Sequence, residues 1–378
     1  MSFDAVWATD EKRLALEAGS LGELLARMKI QLSPLRVGAW EWETLLQTTV
    51  DLPPALAGFP FWLGIPVDDA HQDICLNLSL PCGTRTAAQF AKGGETGGKS
   101  ATAIARLLDA VASRQSSVQR LSGNRVLLHY DIDSIHPEQL QPGCFLYPVR
   151  SALPGGRQQQ DFRRALEAVD QAAGWEPDAA GQGHAERAYM ALNEDARLGA
   201  IGAFPERDRT LRLIAMGFTG VHDTGAFLEN SGFSAGRPLV SSLISRFRKR
   251  GALNGLQIGI RIDINSSGAG PSIEMQIFSA DTIHDRGGWF KDRNCWAILV
   301  DTLGDEGIAV PARLSRLVDW SSGAQLLFGR SGPLLLLKRI HHFSITIEGS
   351  RMVKVKAHLF MLLSHLPEPD PSGNPDRS

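Results

Sequence analysis

Basic side chains alternate along VKVKAHLF, an apolar segment near the end of the chain. Lys354, Lys356 and His358 are two residues apart, so in a β-strand they share one face, while Val355 lies on the other. Such a row would place fixed cations around a departing diphosphate, whose negative charge a catalyst must stabilise. A solvated edge strand has the same pattern, because lysine there prevents edge-to-edge aggregation. This segment alone leaves both interpretations open.

Two further basic residues lie in strand-like segments upstream. Arg212 is in TLRLI, and Arg261 is in GIRIDIN together with Asp263, on the face opposite the isoleucines. If these strands close into one barrel, we expect both arginines to converge with Lys354 and Lys356 in its interior. Like charges repel by roughly 1 kcal/mol at ~4 Å even in water. Convergence would therefore indicate that the interior binds an anion.

Carboxylates next to aromatic or amide side chains are candidate proton acceptors for a nucleophile that forms a new bond. Glu41 lies between Trp40 and Trp42 in AWEWETLL, and a carboxylate among tryptophans could bind a cationic or indole side chain. An ordinary exposed helix start with a buried tryptophan gives the same pattern. Glu274 in PSIEMQI is the alternative base, on the strand face that also carries Gln276.

Aspartates in HYDID are candidate Mg²⁺ ligands. Asp131 and Asp133 share a strand face with His129, and carboxylate oxygens are the ligands that Mg²⁺ prefers. Ordinary turn or surface aspartates are the alternative. The adjacent His341 and His342 would point to opposite faces of a regular strand, so for them we predict structural roles.

The run GGETGGKS at residues 93–100 matches the phosphate-loop pattern letter for letter. A phosphate loop follows a buried strand, because the strand aims the backbone N–H groups at the phosphates. The preceding TRTAAQFAK is polar, alanine-rich and helix-like instead. We therefore predict a glycine-rich loop on the outside of the fold, leading into a helix at 101–114.

Composition narrows the function classes. The chain has 378 residues, of which 43% are hydrophobic and 21% charged, as in ordinary globular proteins. A net charge of −2 leaves no basic surplus for nucleic acid, so we expect no such partner. The four cysteines show no metal or disulfide spacing, which fits a reducing cytoplasm. We expect no export signal and no membrane partner, since LLLL at 334–337 cannot span a bilayer.

A paired-strand pattern recurs along the chain, with helical segments between the pairs. The five predicted hairpins are 61–66 with 73–81, 125–133 with 143–149, 198–205 with 209–218, 256–264 with 271–279, and 341–347 with 351–362. The predicted helices are 100–114, 158–174, 224–250, 289–303 and 312–320, and a covering helix is expected within 10–30.

Repeated αββα units must bury their strands under their helices, so the fold class is α+β. Ten antiparallel strands could close into a barrel with helices outside, which removes every sheet edge. An open sheet or two smaller sheets is the alternative. We expect a single domain at 1–366, with 1–58 as an N-terminal helical cover, and a disordered proline-rich tail at 367–378.

The arrangement resembles the αββα-barrel prenyltransferases, which include indole and cyanobactin-peptide prenyltransferases. The resemblance covers about residues 60–362 and rests on the five strand pairs and on VKVKAHLF as a closing strand. In that family, inward Lys, Arg and Tyr side chains hold the diphosphate and shield the allyl cation. This chain has only three tyrosines, so the full tyrosine shield of the fungal members is absent.

The resemblance implies an enzyme that moves an isoprenyl group from an allylic diphosphate to an aromatic or basic side chain of a peptide, or to a small aromatic acceptor. Some members require Mg²⁺ and others do not. The implied diphosphate contacts are Arg212, Arg261, Lys354, Lys356 and His358, and the implied acceptor or prenyl pocket is Trp40, Trp42, His129 and Gln276. A non-catalytic barrel that binds a hydrophobic ligand or a precursor peptide is the alternative.

Overall fold

Ten antiparallel strands form a closed barrel in a computed structural model of the chain. The structure describes residues 11–32, 37, 39–69, 73–94, 98–113, 116–132, 141–149, 152–279, 293–320 and 323–365. The sheet order is β11-β1-β2-β3-β4-β5-β6-β7-β8-β10-β9, and an additional pairing of β11 with β10 closes the ring. The predicted closed barrel is therefore confirmed, and the open-sheet alternative is excluded.

Every predicted hairpin is present as a pair of neighbouring strands. The strands are β1 (Phe61–Pro66), β2 (Ile74–Pro81), β3 (Arg125–Ile132), β4 (Gly143–Leu146), β5 (Arg197–Ala203), β6 (Leu211–Phe218), β7 (Leu256–Asn265), β8 (Gly268–Ser279), β9 (Gly323–Gly329), β10 (Gly332–Glu348) and β11 (Arg351–His365). β11 pairs with β1 from Phe61 opposite Met361 to Pro66 opposite Lys356. β11 is therefore not an edge strand along these residues.

The strands alternate apolar residues toward the helices with polar residues toward the barrel interior, which we call the lumen. On β7, Ile258, Ile260, Ile262 and Ile264 are all buried in the main core, whereas Arg261 lies on the opposite face and lines the lumen. Burial of this apolar face contributes roughly 25 cal/mol per Å². It fixes the strand register, because a slip of one residue would turn the isoleucines into the lumen.

Helices cover the outside of the barrel. They are α1 (Leu21–Leu32), α2 (Ala39–Thr48), α3 (Arg85–Gly93), α4 (Lys99–Ala112), α5 (Ser117–Ser122), α6 (Gln159–Ala173), α7 (Ala179–Met190), α8 (Val221–Asn230), α9 (Arg237–Lys249), α10 (Arg293–Asp305) and α11 (Pro311–Trp320). The predicted helix at 224–250 is two helices, and the chain turns between them at Gly232, whose φ is +91°. Within the described residues, no helix combines the length and apolarity needed to cross a bilayer.

The sequence did not predict β9, nor the first half of β10. LLLL at 334–337 lies in β10, which pairs with β9 from Gly332 opposite Gly329 to Lys338 opposite Gly323. The three strands β9, β10 and β11 thus continue beyond the ring as one extension. Its side chains include Phe328, which is 85% exposed, and Leu326, which is 47% exposed.

The GGETGGKS run lies between two helices, as predicted. α3 ends at Gly93 and α4 begins at Lys99, and 95–97 fall outside the described residues. The N-terminus of α4 already has an anionic partner, because the Ser100 backbone N–H donates to Glu206 Oε1 at 3.1 Å. Lys99 is exposed. This placement favours the outside loop over a phosphate-binding loop.

One matched pair of substitutions tests where the stability of the fold comes from. Phe343 is fully buried beneath α10, with its ring centroid 5.6 Å from that of Trp296. Phe343→Ala should lower the free energy of unfolding by about 3–5 kcal/mol. Phe328→Ala, the same change at an exposed site, should alter it by less than about 0.5 kcal/mol. Urea titrations measure both, and equal losses would contradict this assignment of the core.

Candidate functional site

The lumen holds a partly enclosed cavity of about 50 Å³, room for only a few water molecules. Any larger ligand must displace some of the lining side chains. The lining residues are Trp62, Asn77, Leu127, His129, Phe145, Tyr147, Arg212, Ile214, Met216, Arg261, Glu274, Gln276, Phe278, His341, His342 and His358. A more open pocket of about 420 Å³ adjoins it at Arg212, which lines both, and includes Asp263, Arg207 and Phe204.

Most of the described charged side chains of this barrel lie toward one end and most of its rings toward the other. The exceptions are Arg125 and Arg339, which lie over the Tyr147 and Phe360 rings, and Phe204, which lies beside Arg207 and Arg212. The strands β1, β3, β5, β7 and β10 all end at the same side of the barrel, which we call the turn end. The opposite side is called the helix end. Charged residues lie in the strand halves next to the turn end: Asp73, Asp131, Arg212, Arg261, Asp263, Glu274, Lys354 and Lys356. Rings lie nearer the helix end: Trp62, Tyr147, Phe278, His341, His342 and Phe360. The lumen is therefore polarised along its axis.

Lys354 and Lys356 share one carboxylate at the turn end. Asp73 Oδ2 lies 2.8 Å from Lys354 Nζ and 2.6 Å from Lys356 Nζ. Burial tends to raise the pKa of Asp73, but the two ammonium groups outweigh it and lower the pKa. Burial likewise opposes the charge of Lys356, yet Cys75 and Asp73 favour it more and raise its pKa. One buried and one half-buried ammonium group thus share a single carboxylate.

Both predicted arginines face the lumen, and each has its own carboxylate. Arg212 Nε and Nη2 donate to Asp263 at 2.8 and 2.9 Å, and Arg261 Nη1 lies 2.8 Å from Glu274 Oε2. The two arginines line one cavity, whereas Lys354 and Lys356 are not among its described lining residues, so convergence of all four basic residues stays a prediction. The carboxylate partners of the arginines were not part of the sequence interpretation. Arg212 Nη1 is buried and has no hydrogen-bond partner in the described part of the chain, so it remains available as a donor.

His129 and Asp131 share a face, as predicted, and hydrogen-bond to each other. His129 Nε2 is 2.7 Å from Asp131 Oδ1, and His129 Nδ1 is 2.6 Å from Asn77 Oδ1. Burial lowers the pKa of His129. Asp131 Oδ2 accepts from Arg207 at 2.9 Å, so each of its oxygens has one partner. Asp133, the other predicted ligand, lies outside the described residues.

His341 and His342 both line the lumen, which corrects the prediction that they face opposite ways. The pairing of β10 with β11 shifts register between Ile340 and His342, and such a bulge turns two consecutive side chains to one face. The Nδ1 atoms of the two rings are 2.6 Å apart. The His342 and His358 rings stack with centroids 3.8 Å apart.

The predicted cationic role of His358 does not fit its surroundings. Burial, and then the charge of Lys356, hold the pKa of His358 well below its ordinary value. The ring is therefore neutral at neutral pH and can contribute one N–H or one lone pair, but no fixed charge. Its Nε2 lies 3.0 Å from Ser344 Oγ. Among the predicted diphosphate contacts, the fixed charges belong to the lysines and arginines.

Glu274 and Gln276 lie in the lumen together, as their shared strand face predicts. Gln276 Nε2 donates to Glu274 Oε1 at 2.6 Å, while Arg261 holds the other oxygen. These two partners fix the orientation of the carboxylate toward the cavity. Glu274 thus has the placement expected of a base acting on a bound acceptor.

Glu41, Trp40 and Trp42 lie away from the lumen, and this placement corrects the prediction that they belong to the site. They are on α2, outside the barrel, where Trp42 is buried in the main core and Trp40 is 40% exposed. A helix packed on the sheet turns its apolar side toward the outer strand faces. Glu41 is buried there as well, at 1% exposure, and neither of its carboxylate oxygens has a hydrogen-bond partner among the described residues. None of the three is among the described residues that line the cavity.

Several lumen residues escaped the sequence interpretation. Trp62 and Phe278 alternate with outward apolar residues on β1 and β8, but an aromatic residue suits either face, so alternation does not reveal its side. Asp73 precedes β2 and meets the lysines of β11 across 281 and 283 positions of the chain. Only the closure of the barrel brings them together.

Two prenyltransferases of known structure resemble this barrel. The apo crystal structure of prenyltransferase PriB matches with a TM-score of 0.52 and 14% identity, over 89% of this chain and 95% of that chain. NotF prenyltransferase matches with a TM-score of 0.51 and 11% identity, over 94% and 95%. No protein-family model and no curated protein matches the sequence. The likeness shows that the chain has the αββα-barrel fold of these structures.

The shared carboxylate predicts a pH dependence of stability. Asp73→Asn leaves the buried ammonium group of Lys356 and the half-buried one of Lys354 without their anion and should lower the free energy of unfolding at neutral pH by about 3 kcal/mol. Because the pKa of Asp73 is lowered by folding, its stabilisation is present above the unfolded pKa of about 3.9 and is lost as pH falls through the folded value.

Urea titrations between neutral pH and pH 2 should show the gap between wild type and Asp73→Asn closing toward acid. Asp109→Asn, at an exposed position on α4, is the matched control and should differ from wild type by less than about 0.5 kcal/mol throughout. A gap that stays constant with pH would contradict the ion-pair assignment.

Proposed function

We propose that the barrel transfers an isoprenyl group from an allylic diphosphate to an aromatic or basic side chain of a peptide, or to a small aromatic acceptor. The polarised lumen is the observation that carries the proposal. It places four cations, together with four carboxylates, toward the turn end and most of the rings beside them toward the helix end. An allylic diphosphate is divided in the same way, into an anionic head and an apolar tail. The fold shared with the prenyltransferases PriB and NotF supports this choice of chemistry.

The diphosphate would lie against Lys354, Lys356 and the free donor of Arg212. The two lysines share one carboxylate, so one positive charge there lacks its own anion. Arg212 Nη1 is a buried donor without a partner within the described ranges. Such fixed groups stabilise the leaving oxygen as its negative charge develops. Arg261 would act from further inside the lumen, where Glu274 already holds it.

Ring faces would stabilise the allyl cation left behind when the carbon–oxygen bond breaks. Trp62, Phe145 and Phe278 line the same cavity, and aromatic faces attract a nearby cation by about 0.5–2 kcal/mol each. Tyr147 is the one tyrosine among the described lining residues. Tryptophan and phenylalanine rings would thus shield the allyl cation in place of a full set of tyrosines.

The acceptor forms its new bond to the allyl carbon and then releases a proton. Glu274 is the candidate base, since its carboxylate faces the cavity and is oriented by Gln276 and Arg261. The diphosphate leaves with the electron pair of the broken bond. Gln276 and His129 lie in the same lining and would contact the acceptor.

A peptide acceptor would have a path into the lumen along the extension. The inward faces of β9 and β10 carry Leu326 opposite Leu335 and Phe328 opposite Pro333. This face continues through Leu337 and Arg339, whose guanidinium lies over the Phe360 ring, to His341. The Phe360 and His341 rings stack with centroids 6.3 Å apart at the helix end. Residues flanking the modified side chain could lie along it while that side chain enters the barrel.

Incubation with candidate substrates tests the activity. Dimethylallyl and geranyl diphosphate, each with and without Mg²⁺, are offered with peptides containing tryptophan, tyrosine, histidine or arginine and with free aromatic acceptors. The expected result is an acceptor that gains the mass of one prenyl group. Absence of any mass gain, together with saturable binding of an apolar ligand, would favour the non-catalytic barrel.

Two lysine substitutions locate the diphosphate. Lys356→Ala should lower kcat by about 10²-fold or more, because it removes a cation from the leaving oxygen. Lys99→Ala, at the exposed start of α4, should leave kcat within a few-fold of wild type. Steady-state kinetics on the best donor measure both. Equal losses, or a loss confined to Lys99→Ala, would refute a diphosphate site in the lumen.

The extension gives a prediction for peptide acceptors alone. Phe328→Asp puts a charge on the apolar face at an exposed position, so the fold should tolerate it. KM for a peptide acceptor should rise by about 10-fold, since burying one large apolar side chain is worth about 1.5–3 kcal/mol. KM for a free aromatic acceptor should not change. The same increase for both acceptors would contradict this path.

A further inference from the structure

Three potential metal ligands from three neighbouring strands meet in the lumen. Glu274 lies on β8, His342 on β10 and His358 on β11, and one donor atom of each lies within 4.8 Å of the others. All three side chains are buried. His342 is directly opposite His358 in the strand register. The group is thus fixed by the backbone of the barrel itself.

His342 presents a ring nitrogen that has no other use in the described structure. Its Nδ1 is 2.6 Å from His341 Nδ1, so one proton is shared between the two rings. When His342 carries that proton, its Nε2 exposes a lone pair. This Nε2 is buried and has no hydrogen-bond partner among the residues that the structure describes. Metal-binding histidines commonly donate their other ring N–H to a fixed acceptor, as His341 allows here.

Glu274 keeps the capacity to bind an ion. Its oxygens each accept one hydrogen bond, from Gln276 at 2.6 Å and from Arg261 at 2.8 Å. A carboxylate has about four lone-pair sites, so each oxygen can still take a ligand. The two donors orient the carboxylate, while the charge of Arg261 opposes a bound cation. The affinity should therefore be moderate.

We propose that His342, His358 and Glu274 bind a divalent transition-metal ion such as Zn²⁺ or Co²⁺, with one coordination position open to the lumen. Two imidazoles and one carboxylate suit these ions better than Mg²⁺ or Ca²⁺, which prefer oxygen ligands throughout. A tetrahedral site with bonds of about 2.0–2.1 Å needs donors about 3.4 Å apart. The His342 and His358 rings are stacked, with centroids 3.8 Å apart and nearly parallel planes, so at least one ring must turn for both lone pairs to point at a single ion. The site differs from the Mg²⁺ ligands expected at Asp131 and Asp133.

Direct metal binding tests this site without any assay of prenyl transfer. Untagged protein is first stripped of metal with a chelator. It is then titrated with Co²⁺, and the visible absorption of the bound ion reports binding. A second titration with Zn²⁺, in the presence of excess Mg²⁺, is measured by calorimetry. We expect one equivalent of each ion. His342→Ala and His358→Ala should each weaken binding by more than the roughly 10-fold lost with an outer-shell partner.

Two further variants keep the test decisive. His129→Ala, at another buried lumen histidine, should leave the affinity within about 3-fold of wild type. Arg261→Gln removes the opposing charge and should tighten binding several-fold, a gain that general damage to the fold would not produce. Circular dichroism checks that each variant is folded. Any of three results would overturn the proposal. They are absence of stoichiometric binding to the wild type, full binding by both His342→Ala and His358→Ala, and weaker binding by Arg261→Gln.

Discussion

Pairing of β11 with both β1 and β10 is the constraint on which the rest of the structure depends. This closure turns the polar faces of ten strands inward and gives each of them a neighbour on both sides. Without it, Lys354 and Lys356 would lie on a solvated edge, far from Asp73. Because the apolar outer faces are buried beneath helices, neither a slip in register nor a reversal of faces is available. The chemistry of the lumen is thus set by the register of the sheet.

Closure also imposes a cost that shapes the site, since charges enclosed in the lumen must be paired. Arg212 meets Asp263, Arg261 meets Glu274, and the two lysines meet Asp73. These pairs hold the side chains in fixed positions before any ligand arrives. The two lysines share the one carboxylate of Asp73, and the Nη1 donor of Arg212 has no partner in the described part of the structure. An anionic head group would meet these groups.

Alternation along single strands was enough to predict the hairpins and the polar faces of β7, β8 and β11. It also placed Arg212, Arg261, Glu274 and Gln276 in the lumen. Features that depend on distant parts of the chain could not be predicted. The bulge at His341 arises from strand pairing, and the partners of the basic residues come from other strands. Trp40 and Trp42 misled the interpretation because a helix start and a binding pocket use the same residue types.

A crystal structure with a non-hydrolysable analogue of dimethylallyl diphosphate tests the central claim most directly. The account predicts the diphosphate within hydrogen-bond distance of Lys354, Lys356 and Arg212, with the prenyl chain against Trp62 and Phe278. Movement of Asp73 away from at least one lysine should accompany it. Diphosphate bound at the start of α4 or elsewhere on the outer surface, with the lumen unchanged, would contradict the account.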